Sequence, residues 1–122
     1  MHEMPDLFQI GGWWYHIISE YNDGNKMVYR MSKSLDGPWI APADDAFDGR
    51  AYYAGRTFCL NGQRILFGWV PTKEGCDDRG NFEWAGTFVA HEVYQREDGT
   101  LGSGFPTLYG MPLRRERKRK IW

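Results

Sequence analysis

The chain predicts an all-β fold made of two antiparallel meanders. Three observations carry that expectation. Short apolar runs recur between turn signals, the strongest being Asn61-Gly62, which supplies the positive φ of a two-residue hairpin. Six Trp, seven Tyr and seven Phe accompany fifteen Gly, a composition that suits short strands and tight turns. No helical stripe longer than about two turns is present.

Taken in order, Leu7 to Ile10 and Trp13 to Tyr21 flank Gly11-Gly12 and read as a first hairpin. Asn22-Asp23-Gly24-Asn25 turns the chain into Lys26 to Ser32, and Asp36-Gly37-Pro38 closes that group of three strands. A Pro- and Asp-rich connection follows. Arg50 to Leu60 and Gln63 to Val70 then pair across Asn61-Gly62. A polar excursion from Pro71 to Glu83 leads to Trp84 to Gln95, and Asp98-Gly99 turns the chain towards Thr100 and Leu101, giving three or four further strands. Trp13 to Ile18 and Ile65 to Trp69 are apolar on both faces, as in sheets covered on both sides. Meanders of about forty to fifty residues with that double burial match stacked propeller blades better than a β-sandwich of similar spacing. The expected organisation is a partial propeller domain over residues 1–102 and an irregular basic tail over 103–122.

The formal charge of −1 conceals two unlike regions. Arg114 to Lys120 holds six of the fifteen bases and one of the sixteen acids, which leaves nine bases against fifteen acids elsewhere. The body is therefore acidic. The basic run has no aromatic interleaving and no nucleic-acid motif, so it reads as a solvated, disordered tail and no nucleic-acid partner is expected. Cys59 and Cys76 form no CxxC pair, which argues against a zinc site and fits free thiols in a cytoplasmic setting. His16 and His91 lack ligand companions, so they read as structural or exposed; neither a metal nor a cofactor is expected. No apolar run reaches the ~18 residues of a membrane span, and no signal peptide is visible.

Several segments in order resemble the catalytic propeller of family 32 glycoside hydrolases, the invertase, levanase and fructanase group of β-fructosidases. Glu3-Met4-Pro5-Asp6 matches the family's Glu-Cys-Pro-Asp motif at three of four places, Met4 being the departure. The aromatic strand Trp13-Trp14-Tyr15, the stretch from Asp48-Gly49 through Tyr53-Ala54 to Thr57-Phe58, the strand Arg64 to Trp69, Trp84-Ala85-Gly86 and Asp98-Gly99-Thr100-Leu101 follow as in the later part of that domain. The resemblance covers Glu3 to Leu101. It implies about two blades of a five-bladed propeller, with Glu3 as the acid/base catalyst and carbohydrate, sucrose or a fructan, as partner. The family's nucleophile lies in an Asn-Asp-Pro-type motif and its transition-state stabiliser in an Arg-Asp-Pro motif; this sequence contains neither. The chain is thus expected to be a fragment with half of a retaining mechanism and no activity alone.

A general acid must be held protonated, by apolar burial and a neighbouring carboxylate; Phe8 and the Trp-rich hairpin are the apolar groups available to Glu3. Asp6 is expected to orient a sugar hydroxyl or to tie down a loop. Tyr52, Tyr53 and Trp69 are candidates to line the sugar pocket, with Arg50 or Arg56 donating to hydroxyls. The alternative is a non-catalytic carbohydrate-binding or interaction module made of the same blades. Open blade faces predict a homo-oligomer.

Overall fold

The computed structural model describes residues 1–107. Strands β1 (His2–Ile10), β2 (Trp13–Glu20) and β3 (Lys26–Ser32) form one antiparallel sheet in that order. Strands β4 (Tyr53–Leu60), β5 (Gln63–Lys73), β6 (Phe82–Gln95) and β7 (Leu101–Gly104) form a second, again in chain order. The expected all-β fold of two antiparallel meanders is the fold observed. The expected disorder of Arg114 to Lys120 lies outside the described residues.

Element boundaries differ from the sequence reading where backbone irregularities decide them. Strand β1 begins at His2 rather than Leu7; the ladder shifts between Glu3 and Asp6, with Met4 at φ 52°, and Pro5 is tolerated because β1 is at the edge of its sheet. Strand β4 begins at Tyr53 rather than Arg50, since Ala51 turns at φ 75° and gives its N–H to the Asn25 carbonyl at 2.8 Å. The two ends of the expected excursion from Pro71 to Glu83 belong to the β5–β6 hairpin. Its ladder resumes at Lys73 and Phe82, and a 3-10 turn over Glu74–Cys76 helps to close it. Strand β7 runs to Gly104, past residue 102, and Ser103 donates its hydroxyl to the Phe47 carbonyl at 2.7 Å.

The Pro- and Asp-rich connection acts as a broken fourth strand of the first sheet. Met31 pairs with Ile40 and Val28 with Ala46, while Tyr29 N donates to Asp45 O at 2.9 Å. Pro38 and Pro42 lack the N–H groups that a continuous ladder needs. The same segment packs Trp39 edge-on against His16, with ring centroids 6.0 Å apart, and so covers part of that sheet's outer face. Burial there holds the His16 imidazole below its ordinary range. His91 lies 2.8 Å from Asp48 and edge-on to Tyr52.

The core lies between the sheets. Phe8, Tyr15, Ile17, Met27, Tyr29 and Met31 from the first meet Tyr52, Leu66, Val93 and Leu101 from the second. Polar tips of core aromatics cross the same gap: Tyr15 donates to the Gly99 carbonyl at 2.5 Å and Leu101 N donates to the Tyr29 hydroxyl at 2.9 Å. Strand β4 makes the closest seam. Ala54 N donates to the Ser19 hydroxyl at 3.1 Å and Gly55 N to the Met27 sulfur at 3.2 Å. A Cβ at Gly55 would stand 2.9 Å from both Leu66 Cδ1 and Met27 Cε, so a larger residue there would make the ends of these two side chains shift.

The other face of the second sheet carries a row of aromatics. Phe58, Phe67 and Phe88 follow one another at 5.7 and 6.0 Å between centroids, and Phe58 is 43% and Phe88 68% exposed.

Burial raises the hydroxyl pKa of Tyr15, Tyr29 and Tyr52 above the ordinary value, most strongly at Tyr52, where the Asp48 charge adds to it. A raised folded-state pKa means the native chain holds these protons after the unfolded chain has lost them. Their contribution is complete below about pH 10, the unfolded tyrosine value, and is lost as pH rises through and beyond it. Denaturant midpoints measured from pH 8 to 11.5 are expected to fall steeply above pH 10, and Tyr52→Phe is expected to make that fall shallower. An unchanged slope in the variant contradicts the assignment.

Candidate functional site

The site begins with a β-bulge. In a regular strand Glu3 and Asp6, three apart, point to opposite faces. Here three steps on β1 oppose two on β2, from Glu3↔Ser19 to Asp6↔Ile17, and the extra residue turns both carboxylates towards β4. Strand β4 has the matching irregularity: three steps from Tyr53 to Arg56 oppose two on β5, with Ala54 at φ 55°.

Across this seam the Tyr53 hydroxyl donates to Glu3 Oε2 at 2.7 Å. Burial first, and then the Glu3 carboxylate, hold the Tyr53 hydroxyl well above its ordinary pKa, so it remains a donor at neutral pH. Asp6 Oδ2 accepts from Thr57 N at 2.8 Å and Thr57 Oγ1 at 2.6 Å, and Arg64 donates to Thr57 Oγ1 at 2.9 Å. Asp6 thereby ties β1 to β4. The Arg64 guanidinium also lies 4.0 Å over the Phe8 ring, and Phe8 itself stacks on Tyr15 in the core.

Beside Tyr53 is a cavity of about 260 Å³. Tyr21 and Asn25 reach it from the β2–β3 turn, and Tyr53, Trp69, Phe82, Glu83 and Trp84 from the second sheet. Its wall is aromatic: Tyr53 to Trp69 is 5.7 Å, Tyr53 to Trp84 6.0 Å and Trp69 to Trp84 5.1 Å between ring centroids. Trp84 remains 73% exposed. An aromatic wall with a few polar groups is the chemistry that takes the apolar face of a sugar ring and leaves its hydroxyls to side-chain acceptors.

The structure brings Tyr53 and Trp69 together on this wall, with Glu3 hydrogen-bonded behind it. Tyr52 is placed elsewhere. It is 1% exposed and donates to the Val89 carbonyl at 3.1 Å, which makes it part of the core under the site. Asp6 lies outside the wall, in its tie to Thr57. Arg50 stacks on Phe82 at 5.5 Å, and Arg56 is exposed on β4. Sequence reasoning missed Trp84 and Glu83 as site residues. Trp84-Ala85-Gly86 was visible as a motif, but its orientation depends on a bulge. Among the described residues no group of three or more His, Cys, Asp or Glu could hold a metal ion, and no helix is long and apolar enough to cross a membrane.

The sequence matches no protein-family model and no curated protein. Solved structures do match the fold. A thermostable family-43 glycoside hydrolase superposes with a TM-score of 0.69 at 16% identity, over 91% of this chain and 38% of that one. An exo-1,5-alpha-L-arabinanase from a bovine ruminal metagenomic library gives 0.63 at 16%, over 84% and 38%. A xylan beta-1,4-xylosidase from Bacillus halodurans C-125 gives 0.60 at 18%, over 88% and 23%. The chain thus spans well under half the length of each of these structures. Its fold is that of part of a β-propeller, amounting to about two blades, as in part of each of these structures.

The placement of Trp84 depends on Gly86, where a Cβ would stand 2.2 Å from the Val70 carbonyl oxygen. Gly86→Ala is expected to push β6 off β5 at this end. The Trp84 indole N–H resonance should shift, and stability should fall by about 1–3 kcal/mol in denaturant titration. An unshifted Trp84 signal contradicts the dependence.

Proposed function

We propose that the chain carries the acid/base half of a β-fructosidase-type glycoside hydrolase site, acting on sucrose or fructans, with Glu3 as the proton donor. The observation that carries the reading is the 2.7 Å hydrogen bond from Tyr53 to Glu3 Oε2 beside the Tyr53–Trp69–Trp84 wall. The bond fixes one carboxyl oxygen and leaves Oε1 to protonate the leaving-group oxygen; as a carboxylate, Glu3 then takes a proton from the attacking water. The solved neighbours are arabinanase, xylosidase and family-43 enzymes by name and support the glycosidase class. The family 32 assignment rests on the order of the sequence motifs. A retaining mechanism also needs a nucleophilic carboxylate about 5–5.5 Å away, and we assign it to a segment with an Asn-Asp-Pro-type motif, which this sequence does not contain. Tyr53 and Trp69 contact the sugar. Tyr52 and Asp6 hold the seam beneath it.

A second reading, a carbohydrate-binding module without catalysis, is favoured by the exposure of Trp84, since a stacking platform needs no nucleophile. Hydrolysis assays separate the two. The 122-residue chain is expected to release no reducing sugar from sucrose or inulin. Turnover by the purified chain that disappears in Glu3→Gln contradicts the half-site reading. If adding a polypeptide that bears the Asn-Asp-Pro segment restores turnover in wild type but not in Glu3→Gln, Glu3 is the acid; failure to restore it favours the binding module.

The Phe58–Phe67–Phe88 face supports self-association. Two copies related by a two-fold axis can cover each other's row. Light scattering is expected to show a dimer at micromolar concentration, and Phe88→Lys to weaken it. A stable 14.2 kDa wild-type monomer at that concentration sinks the idea.

A further inference from the structure

We infer that the irregular start of β6 is a sugar-gripping device, in which the Glu83 carboxylate holds hydroxyls of a neutral sugar laid on Trp84 and turns sugar acids away. The inference rests on the carbohydrate reading of the cavity and names the class of ligand that the cavity takes.

Between Pro71↔Gly86 and Lys73↔Phe82, two steps on β5 oppose four on β6. The surplus residues bulge out of the sheet. Successive residues of a regular strand face opposite ways, yet Glu83 and Trp84 both line the cavity. The backbone conformation that achieves this is costly for its residues. Ala85 sits at φ 63°, in the left-handed region unfavourable to a residue with a Cβ, and Gly86 is pressed against the Val70 carbonyl.

What the bulge presents is a complementary pair. Trp84 offers a largely exposed indole braced edge-on by Trp69. Among the described residues Glu83 is the one charged residue on the cavity wall. Among the described residues only the Thr72 hydroxyl donates to it, to Oε2 at 3.0 Å, and no cation pairs with it. The nearby cations are engaged elsewhere: Lys73 bonds the Asp78 carbonyl and stacks on Phe82, and Arg50 stacks on the same ring. A carboxylate with a free oxygen accepts strongly from adjacent sugar hydroxyls. A ligand carboxylate in the same place would meet a like charge with no cation among the described wall residues to offset it.

The test titrates the chain with sucrose, xylobiose and α-1,5-arabinobiose as neutral probes and digalacturonate as the acidic one, following Trp fluorescence and the indole N–H resonances. At least one neutral sugar is expected to bind about tenfold more tightly than digalacturonate. Trp84→Ala is expected to abolish that binding. Glu83→Gln, which keeps size and shape, is expected to weaken the neutral sugar and to strengthen digalacturonate, so that the roughly tenfold preference between them disappears. Loss of binding in Trp84→Ala with the neutral-to-acidic ratio unchanged in Glu83→Gln overturns the Glu83 inference and leaves the carbohydrate reading standing. If no neutral sugar perturbs Trp69 or Trp84, both fall.

Discussion

The docking of β4 onto the first sheet is the constraint on which the rest depends. Four β4 residues are each held by a different group of that sheet: Tyr53 by Glu3, Ala54 by Ser19, Gly55 by Met27 and Thr57 by Asp6. Hydrogen bonds of this kind stabilise by about 1 kcal/mol each, but leaving a buried donor unpaired costs more. The seam therefore behaves as a set: sliding β4 by one residue would strand several backbone N–H groups at once. The same register places the Tyr53 hydroxyl on the Glu3 carboxylate, so the packing of the blades and the geometry of the site are one arrangement.

Backbone irregularity is concentrated where the site is. Of the seven non-glycine residues with positive φ among the described residues, Met4, Asn25, Ala51, Ala54 and Ala85 flank Glu3, the cavity or the β4 seam. Each takes a conformation disfavoured for a residue with a Cβ, and Met4, Ala54 and Ala85 fall where a ladder shifts register and redirects a neighbouring side chain. Met4 turns Glu3 to the same side as Asp6. Ala54 lets Tyr53 meet both Glu3 and Trp69, and Ala85 turns Trp84 towards Trp69. The second sheet's side of the cavity is thus aimed by bulges, and the aromatic lining is spread over three strands and a turn.

The two outer faces are unlike. The first sheet is partly covered by its own connection, through Trp39 on His16 and the Ile40 pairing to Met31. The second leaves Phe58, Phe67 and Phe88 in a row, with Phe88 largely open to water. Stacked blades need apolar surface on both sides, and this face has the composition of a surface that another sheet covers.

The strands and turns that depend on local chemistry were legible in the sequence. Asn61-Gly62, Gly11-Gly12 and the Asn22 to Asn25 turn state their hairpins directly, because positive φ and Asx hydrogen bonds are properties of a few neighbouring residues. The Glu3-Met4-Pro5-Asp6 motif was legible as a site candidate through its resemblance to a family motif, and Tyr53 and Trp69 as aromatic residues able to line a sugar pocket. What stayed hidden is what a bulge or a long-range partner decides. Tyr52 and Tyr53 are adjacent and chemically identical, yet one is committed to the core by Val89 and the other to the site by Glu3. The apparent loop from Pro71 to Glu83 is strand at both ends, since a ladder can resume at Lys73 and Phe82 beyond residues that read locally as breakers. Local propensity determined the elements. Only the tertiary structure decided which face each side chain takes, because one extra residue in a ladder reverses the alternation and leaves no mark in composition.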